Sequence, residues 1–374
     1  MHTWIRNPSE LQAAVERLRA GAVMALDSES DSLHHHVEKV CLLQLAAESG
    51  EAYLVDPLAF RDLSALGPLL ADPGLVKVLH GADYDVTTLK RDFGFTFDGL
   101  FDTMIAARFL GRSEIGLQAL AAKELGVTID KGSQRDDWSR RPLTPRQEHY
   151  AAEDVRHLHV LRSRLEAELR LAGRLDWVLE ECAAVAALPA AERRRDADAF
   201  LRVKGAARLP RRAQAVLREI YAWRETQALE SDVPAFKLMG NEALLALAQA
   251  KPADEAALLA TRGLSPRVRG RAGELLDVLR RAQELPPEAW PTPARKERPV
   301  LKPAEQKRIE RLRAWRAEEA ARLSLEISVV LPQRLIDRLV ERAPHSLPEL
   351  RQVEGLRAWR VEAFGQALLE RLAG

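Results

Sequence analysis

Along the first eighty positions, apolar residues fall in short runs that stop at polar or turn-forming residues. Ala22-Val23-Met24-Ala25-Leu26 closes on Asp27, Val40–Ala46 and Ala52–Val55 follow after polar segments, and Leu75–Leu79 follows the turn Asp72-Pro73-Gly74. Runs of this length between turn residues read as strands. Leu63–Leu70, just before that turn, reads as a helix. From Tyr84 the period becomes helical, over Tyr84–Phe93, Asp102–Phe109, Leu117–Leu125 and one long helix from about Pro145 to Arg170. Strands followed by helices able to cover both sheet faces predict a mixed α/β domain over residues 1–180.

Beyond Glu180 the strand signal disappears and Ala- and Arg-rich helical segments take over. One stretch interrupts them, with Pro286, Pro287, Pro291, Pro293, Pro299 and Pro303 close together around Arg295, Lys296 and Arg298. Such a composition cannot continue a helix and reads as a semi-extended linker. The two sides of the linker repeat one another at an offset of 92 residues. Ala222-Trp223-Arg224 matches Ala314-Trp315-Arg316, Leu244 and Leu247 match Ile336 and Leu339, and Pro252 matches Pro344. Leu258 matches Leu350, Gly263-Leu264 matches Gly355-Leu356, and Gly273 matches Gly365. A constant offset over this span indicates two copies of one small all-α domain, at 207–285 and 301–374, with Trp223 and Trp315 as equivalent core residues. The linker predicts that the chain folds independently on its two sides.

Composition narrows the class. The 374 residues are 47% hydrophobic and 30% charged, enough for packed cores and inconsistent with wholesale disorder. No apolar run approaches the ~18 residues needed to span a bilayer, and the start of the chain has no secretory pattern. Cys41 and Cys182 fit neither a disulfide framework nor a zinc spacing. A soluble cytoplasmic protein without membrane partners is expected. The net charge of +1 conceals an asymmetry, with 24 basic against 32 acidic side chains in residues 1–200 and 32 against 23 in the remainder. The basic half is a candidate for contact with a polyanion.

The candidate chemistry lies in the acidic half. Asp27 and Glu29, two apart at a strand end, point to one face. Two carboxylates held together repel unless a cation sits between them, and hard divalent cations take such oxygens. Asp83 and Asp85 open the helix after the Leu75–Leu79 strand, where capping and the helix dipole would also favour acids. Tyr150 and Asp154, four apart on the long helix, share a face. Each element alone has an ordinary structural explanation. His34-His35-His36 resembles a metal tract but falls in a segment expected to be a solvated loop.

Strand acids, an Asp after a later strand, and Tyr-x-x-x-Asp on a downstream helix occur here in the order found in one superfamily. The chain resembles the DEDD 3′-5′ exonucleases, in the subgroup whose third motif carries tyrosine. Ser133-Gln134-Arg135-Asp136-Asp137-Trp138-Ser139-Arg140-Arg141-Pro142-Leu143, followed by Gln147, Tyr150 and Asp154, looks like the ribonuclease D family. In that family one or two helical HRDC domains follow the nuclease, as the two repeats here would. One departure is Ser30, where the family usually has Thr after the first-motif Glu; serine keeps the hydroxyl.

The resemblance implies an α/β nuclease domain with a ribonuclease H-like mixed sheet flanked by helices, followed by two all-α domains. It implies two divalent metal ions, Mg²⁺ or Mn²⁺, with Asp27 bridging both. Glu29 and Asp154 would bind the ion that activates water, and Asp85 would hold the other through water. Tyr150 would orient the attacking water. The implied substrate is RNA with a free 3′ end, with tRNA precursors and other small RNAs as natural examples and nucleoside 5′-monophosphates as products. His80, Gln134, Arg135, Trp138 and Arg141 are the candidate RNA contacts; a packing or turn role is the alternative for His80, and a buried, loop-anchoring role for Trp138. Two other functions stay open at this point. A DNA exonuclease would differ in its response to the 2′-OH, and a non-catalytic nucleic-acid binder would tolerate loss of a carboxylate, whereas all four are present.

Overall fold

The structure, a computed structural model, describes residues 2–130, 132–192, 196–292 and 302–373. Six strands form one mixed sheet: β1 (His2–Ile5), β2 (Val23–Ser30), β3 (Val40–Ala47), β4 (Ala52–Val55), β5 (Val76–Leu79) and β6 (Leu100–Asp102). Their spatial order is β1-β4-β3-β2-β5-β6. The central β3 runs antiparallel to both β2 and β4, while β1/β4, β2/β5 and β5/β6 pair in parallel.

The first helix, α1 (Pro8–Arg19), has Asn7 as its cap, accepting the Glu10 N–H at 3.0 Å, and buries Leu11, Ala14, Val15 and Leu18. A 3₁₀ turn at Ser64–Leu66 and a short helix at Gly67–Ala71 occupy the segment expected to be helical before β5, and the longer helices α2 (Asp83–Phe93) and α3 (Thr103–Phe109) come after it. The helix expected over Pro145–Arg170 is two helices, α4 (Pro145–Arg156) and α5 (Leu158–Leu171), separated at His157. A reciprocal cap between Thr144 and Gln147 starts α4. The break lets α4 lie over β2, β3 and β4 while α5 carries Leu161, Leu165 and Leu169 into the main core. No proline or glycine marks it, so the sequence carries no local signal of the break.

The region after the proline-rich stretch does not stand apart from the nuclease domain. Helices α6 (Leu175–Ala186), α10 (Pro303–Leu323), α11 (Gln333–Arg342) and α12 (Ala358–Ala373) enclose one hydrophobic core with the sheet domain. The Trp177 ring stacks on Trp359 with centroids 4.5 Å apart, and Phe109 meets Trp359 edge-on at 5.4 Å. Glu180 accepts the Ala358 and Trp359 backbone N–H groups at 2.7 and 2.8 Å, at the opening of α12. Glu181 accepts from the buried Arg360 guanidinium at 2.6 Å and from the Trp359 indole N–H at 3.1 Å. The expectation of independent folding on the two sides of the linker is therefore corrected. Prolines report that the chain there is not helical and say nothing about whether its flanks pack together. Pro293, Pro299, Arg295, Lys296 and Arg298 lie outside the described residues.

A second compact unit combines Asp31–Lys39 with the described residues between 192 and 298. Its principal helices are α7 (Arg211–Ser231), α8 (Asn241–Ala250) and α9 (Ala272–Gln283), around Val216, Ile220, Leu244, Leu247, Leu275 and Leu279. The histidine loop is not simply solvated. His35 Nδ1 lies 2.6 Å from Asp232 Oδ2, and the His36 backbone N–H donates to Asp232 Oδ1 at 3.0 Å. The repeat is structural: α10 begins 92 residues after α7 and has the same 21-residue length. Left-handed caps recur at Asp232 and Ser324, and at Lys251 and Ala343. Arg224 donates to the Met239 carbonyl as Arg316 does to that of Leu331.

Candidate active site

Strand β2 carries Asp27 and Glu29 to one face near its C-terminal end, and α4 lays Asp154 over that face. Carboxylate oxygens of these three residues all lie within 4.8 Å of one another. Asp154 is buried, while Asp27 and Glu29 are half-buried. Asp85, on the first turn of α2, is also buried but is not part of this triplet; its carboxylate accepts a short hydrogen bond from the Ser28 hydroxyl. The chain thus brings three of the four acids directly together and holds the fourth alongside. Tyr150 lies one helical turn before Asp154, with its ring buried.

Two supporting residues escape a reading of the sequence alone. Ser28 points to the opposite side of β2 from Asp27 and Glu29, and so meets α2 and Asp85. Asp102 accepts N–H groups of Gly81 and Ala82 at 3.0 and 2.8 Å, and also those of Met104 and Ile105 at 2.7 and 3.2 Å. It therefore caps α3 and ties down the turn that launches Asp85. Gly81 has φ +73°, and a Cβ there would lie 2.9 Å from the Met104 methyl, so the turn requires glycine. The only local hint was an Asp at a helix start, and its partners across the turn are tertiary.

Crowding of buried carboxylates raises their proton affinity. Burial first, then the Asp154 charge, pushes Asp27 up to about 8. Burial pushes Asp154 up to about 7, although a hydrogen bond with Tyr150 opposes the rise. Burial also holds Glu29 and Asp85 well above the usual carboxylate range, with Asp27 adding to both. The Tyr150 phenol is displaced upward by burial and by Asp154 and Glu29, so it stays protonated. Asp154 Oδ1 is buried with no hydrogen-bond partner among the described residues. An oxygen-only donor set with an unpaired buried oxygen fits hard divalent cations.

Stability without cations should therefore depend on pH with a definite sign. Native carboxyls at about 8 and 7 retain protons that the unfolded chain releases near 3.8. The native state then binds more protons than the unfolded state, and stability falls as pH rises from about 4 to about 8. Thermal unfolding in chelator should give a lower Tm at pH 8 than at pH 5.5, and saturating Mn²⁺ should abolish the decline. A Tm rising over that interval would contradict this electrostatic picture.

The candidate RNA contacts divide. Trp138 is 1% exposed and packs 6.0 Å from the Tyr150 ring, so the base-stacking role is corrected to a packing one. Arg141 forms two bonds to Asp56, at 2.7 and 2.8 Å, and donates to the Trp138 and Cys41 carbonyls. It ties the segment to the sheet and is not poised for phosphate. Aromatic and cationic residues suit both RNA contact and core packing, and burial decides between them. His80 is half-buried with Nδ1 2.9 Å from the Thr103 hydroxyl, and burial lowers its pKa. Gln134 and Arg135 are exposed.

Known proteins resemble this chain over its whole length. The 3′-5′ exonuclease family matches residues 2–170, and the HRDC domain family matches residues 213–279 and 305–372. A ribonuclease D of Gluconacetobacter diazotrophicus is 37% identical over 80% of this chain and 77% of its own. One from Pseudomonas paraeruginosa is 33% identical over 99% and 97%. The crystal structure of Escherichia coli RNase D, an exoribonuclease involved in structured RNA processing, superposes with a TM-score of 0.71. That likeness has 29% identity and covers 100% of this chain and 99% of the other.

Proposed function

Since the chain belongs to the ribonuclease D family of exoribonucleases, we propose that it removes nucleotides singly from RNA 3′ ends and releases nucleoside 5′-monophosphates. Precursors of tRNA and other small RNAs are the proposed substrates, a pair of Mg²⁺ or Mn²⁺ ions the proposed cofactor, and the cytoplasm the proposed location. The proposed domain extents are 1–180 for the nuclease, and 207–285 and 301–374 for the HRDC domains. Among the described residues, no helix is long and apolar enough to cross a membrane.

The convergence of Asp27, Glu29 and Asp154 carries this reading. These three would hold the cations, with Asp85 beside them. Bound cations would supply a water of lowered pKa and neutralise charge on the leaving oxygen. The protein's own groups do the rest. Tyr150 keeps its proton, so its hydroxyl serves to orient a water by hydrogen bonding and is unsuited to act as a base. Ser28 and Asp102 fix the second-motif acid and its turn. Exposed Gln134 and Arg135 are proposed to meet the RNA, and His80 to support the turn before Asp85.

Tyr150→Phe should lower kcat by about 10²-fold while weakening Mn²⁺ binding far less than loss of a carboxylate does, because it removes one hydroxyl and keeps the ring against Trp138. Steady-state turnover with calorimetric metal binding checks this; Mn²⁺ binding weakened as far as in Asp154→Asn would make Tyr150 part of the metal cage instead. The substrate class is tested with matched RNA and DNA single strands and a 3′-extended tRNA transcript, each with Mg²⁺, Mn²⁺ or chelator. Faster trimming of DNA than of RNA would overturn the proposed substrate.

A further inference from the structure

Gln44 occupies the position on β3 directly opposite Asp27 of β2 in the antiparallel register, with Leu42 opposite Glu29 and Leu54 of β4 beyond Gln44. Directly paired residues share a sheet face, with Cβ atoms about 5 Å apart. Leu42 and Leu54 on this face pack with Tyr150 and Ala151 of α4, so Gln44 lies in the row of side chains beneath the helix that delivers Asp154. It is fully buried, and neither its Nε2 nor its Oε1 has a hydrogen-bond partner among the described residues.

A buried amide left unpaired destabilises a fold by about 1–3 kcal/mol, and the leucines around this one would accept an apolar side chain of the same size. An apolar residue would thus serve packing better. What distinguishes the position is its neighbour: Gln44 is paired in register with the first-motif Asp27, and Asp154 Oδ1, on the covering helix, is unpaired as well. Carboxylates that bind metal are themselves oriented by hydrogen bonds from surrounding residues.

We propose that Gln44 is a positioning residue for Asp27: with cations bound, its amide N–H donates to the Asp27 carboxylate and fixes the orientation in which that carboxylate meets the metal. The amide remains unpaired until the site is loaded. The proposal rests on the metal-site reading above, and its test separates the two.

Gln44→Met keeps the side-chain volume and removes both polar atoms. Thermal unfolding in chelator and calorimetric titration with Mn²⁺ are measured on full-length wild-type, Gln44→Met and Asp27→Asn proteins. The metal-free Tm of Gln44→Met should equal or exceed that of wild type, while Mn²⁺ binds about 10–100-fold more weakly with unchanged stoichiometry. Unchanged Mn²⁺ affinity would overturn the proposal, whatever happens to the Tm. Should Gln44→Met fold poorly, Gln44→Leu supplies the same comparison. Wild-type protein that binds no Mn²⁺, or Asp27→Asn that binds it equally well, would instead remove the metal site on which the proposal depends.

Discussion

Removing residues 302–374 should yield a nuclease domain that fails to fold stably and loses activity on short single strands as well as on structured RNA. The deletion strips Trp359 and Phe364 from Trp177 and Phe109 and leaves Glu181 without Arg360. Truncating one buried aromatic costs about 3–5 kcal/mol, and the deletion removes two from this core, Trp359 and Phe364. Two such losses approach the ~5–15 kcal/mol that holds a typical domain together. Expression of residues 1–301 with circular dichroism and thermal unfolding checks this. Trp359→Ala in the full chain should lower the Tm without moving Mn²⁺ affinity, since the Trp359 contacts are with α3 and α6 and not with Asp27, Glu29, Asp85 or Asp154. A truncated protein with wild-type Tm and wild-type turnover on a short oligonucleotide would contradict the shared core.

Replacing single carboxylates should have the opposite signature, with intact folding and lost chemistry. Asp27→Asn, Glu29→Gln, Asp85→Asn and Asp154→Asn should each reduce turnover by at least ~10³-fold, the scale of losing a group that acts as part of a catalytic unit. The same changes remove like charge from a buried cluster, so the metal-free Tm at pH 8 should hold or rise. Asn at position 85 can still accept from Ser28, which keeps the local fold. RNA binding should persist, because residues 201–374 retain 32 basic against 23 acidic side chains. Wild-type rates in two of the four variants, or a uniform collapse in Tm, would remove the assignment.

Much of the site was legible because its chemistry follows local periods. A spacing of two on a strand aligned Asp27 with Glu29, and a spacing of four on a helix aligned Tyr150 with Asp154. The constant offset in the C-terminal half located both helical domains, down to the paired Arg224 and Arg316. Elements without a clear apolar run were not legible: β1 opens on His2-Thr3 and β6 has three residues, whereas β4 and β5, equally short, are nearly all apolar. The break at His157 was hidden because tertiary packing, and no breaker residue, ends α4. The seating of α12 on α6 depends on Trp177, Trp359 and the Glu180–Glu181 pair, which lie some 180 positions apart in sequence. Ser28, Gln44 and Asp102 were silent for a related reason, since their meaning lies in what they face. Trp138 and Arg141 show the converse, residues of RNA-binding type that the fold uses for its own packing.

The central claim is that the carboxylates around Asp27 make this chain a metal-dependent exonuclease acting from RNA 3′ ends. It is tested most directly by following a 5′-labelled single-stranded RNA on a denaturing gel, with Mn²⁺ or with chelator, for wild-type and Asp27→Asn proteins. The predicted result is a ladder of products shortening one nucleotide at a time, seen only for wild type with Mn²⁺. Internal fragments without a ladder, or trimming that persists in chelator or in Asp27→Asn, would contradict it.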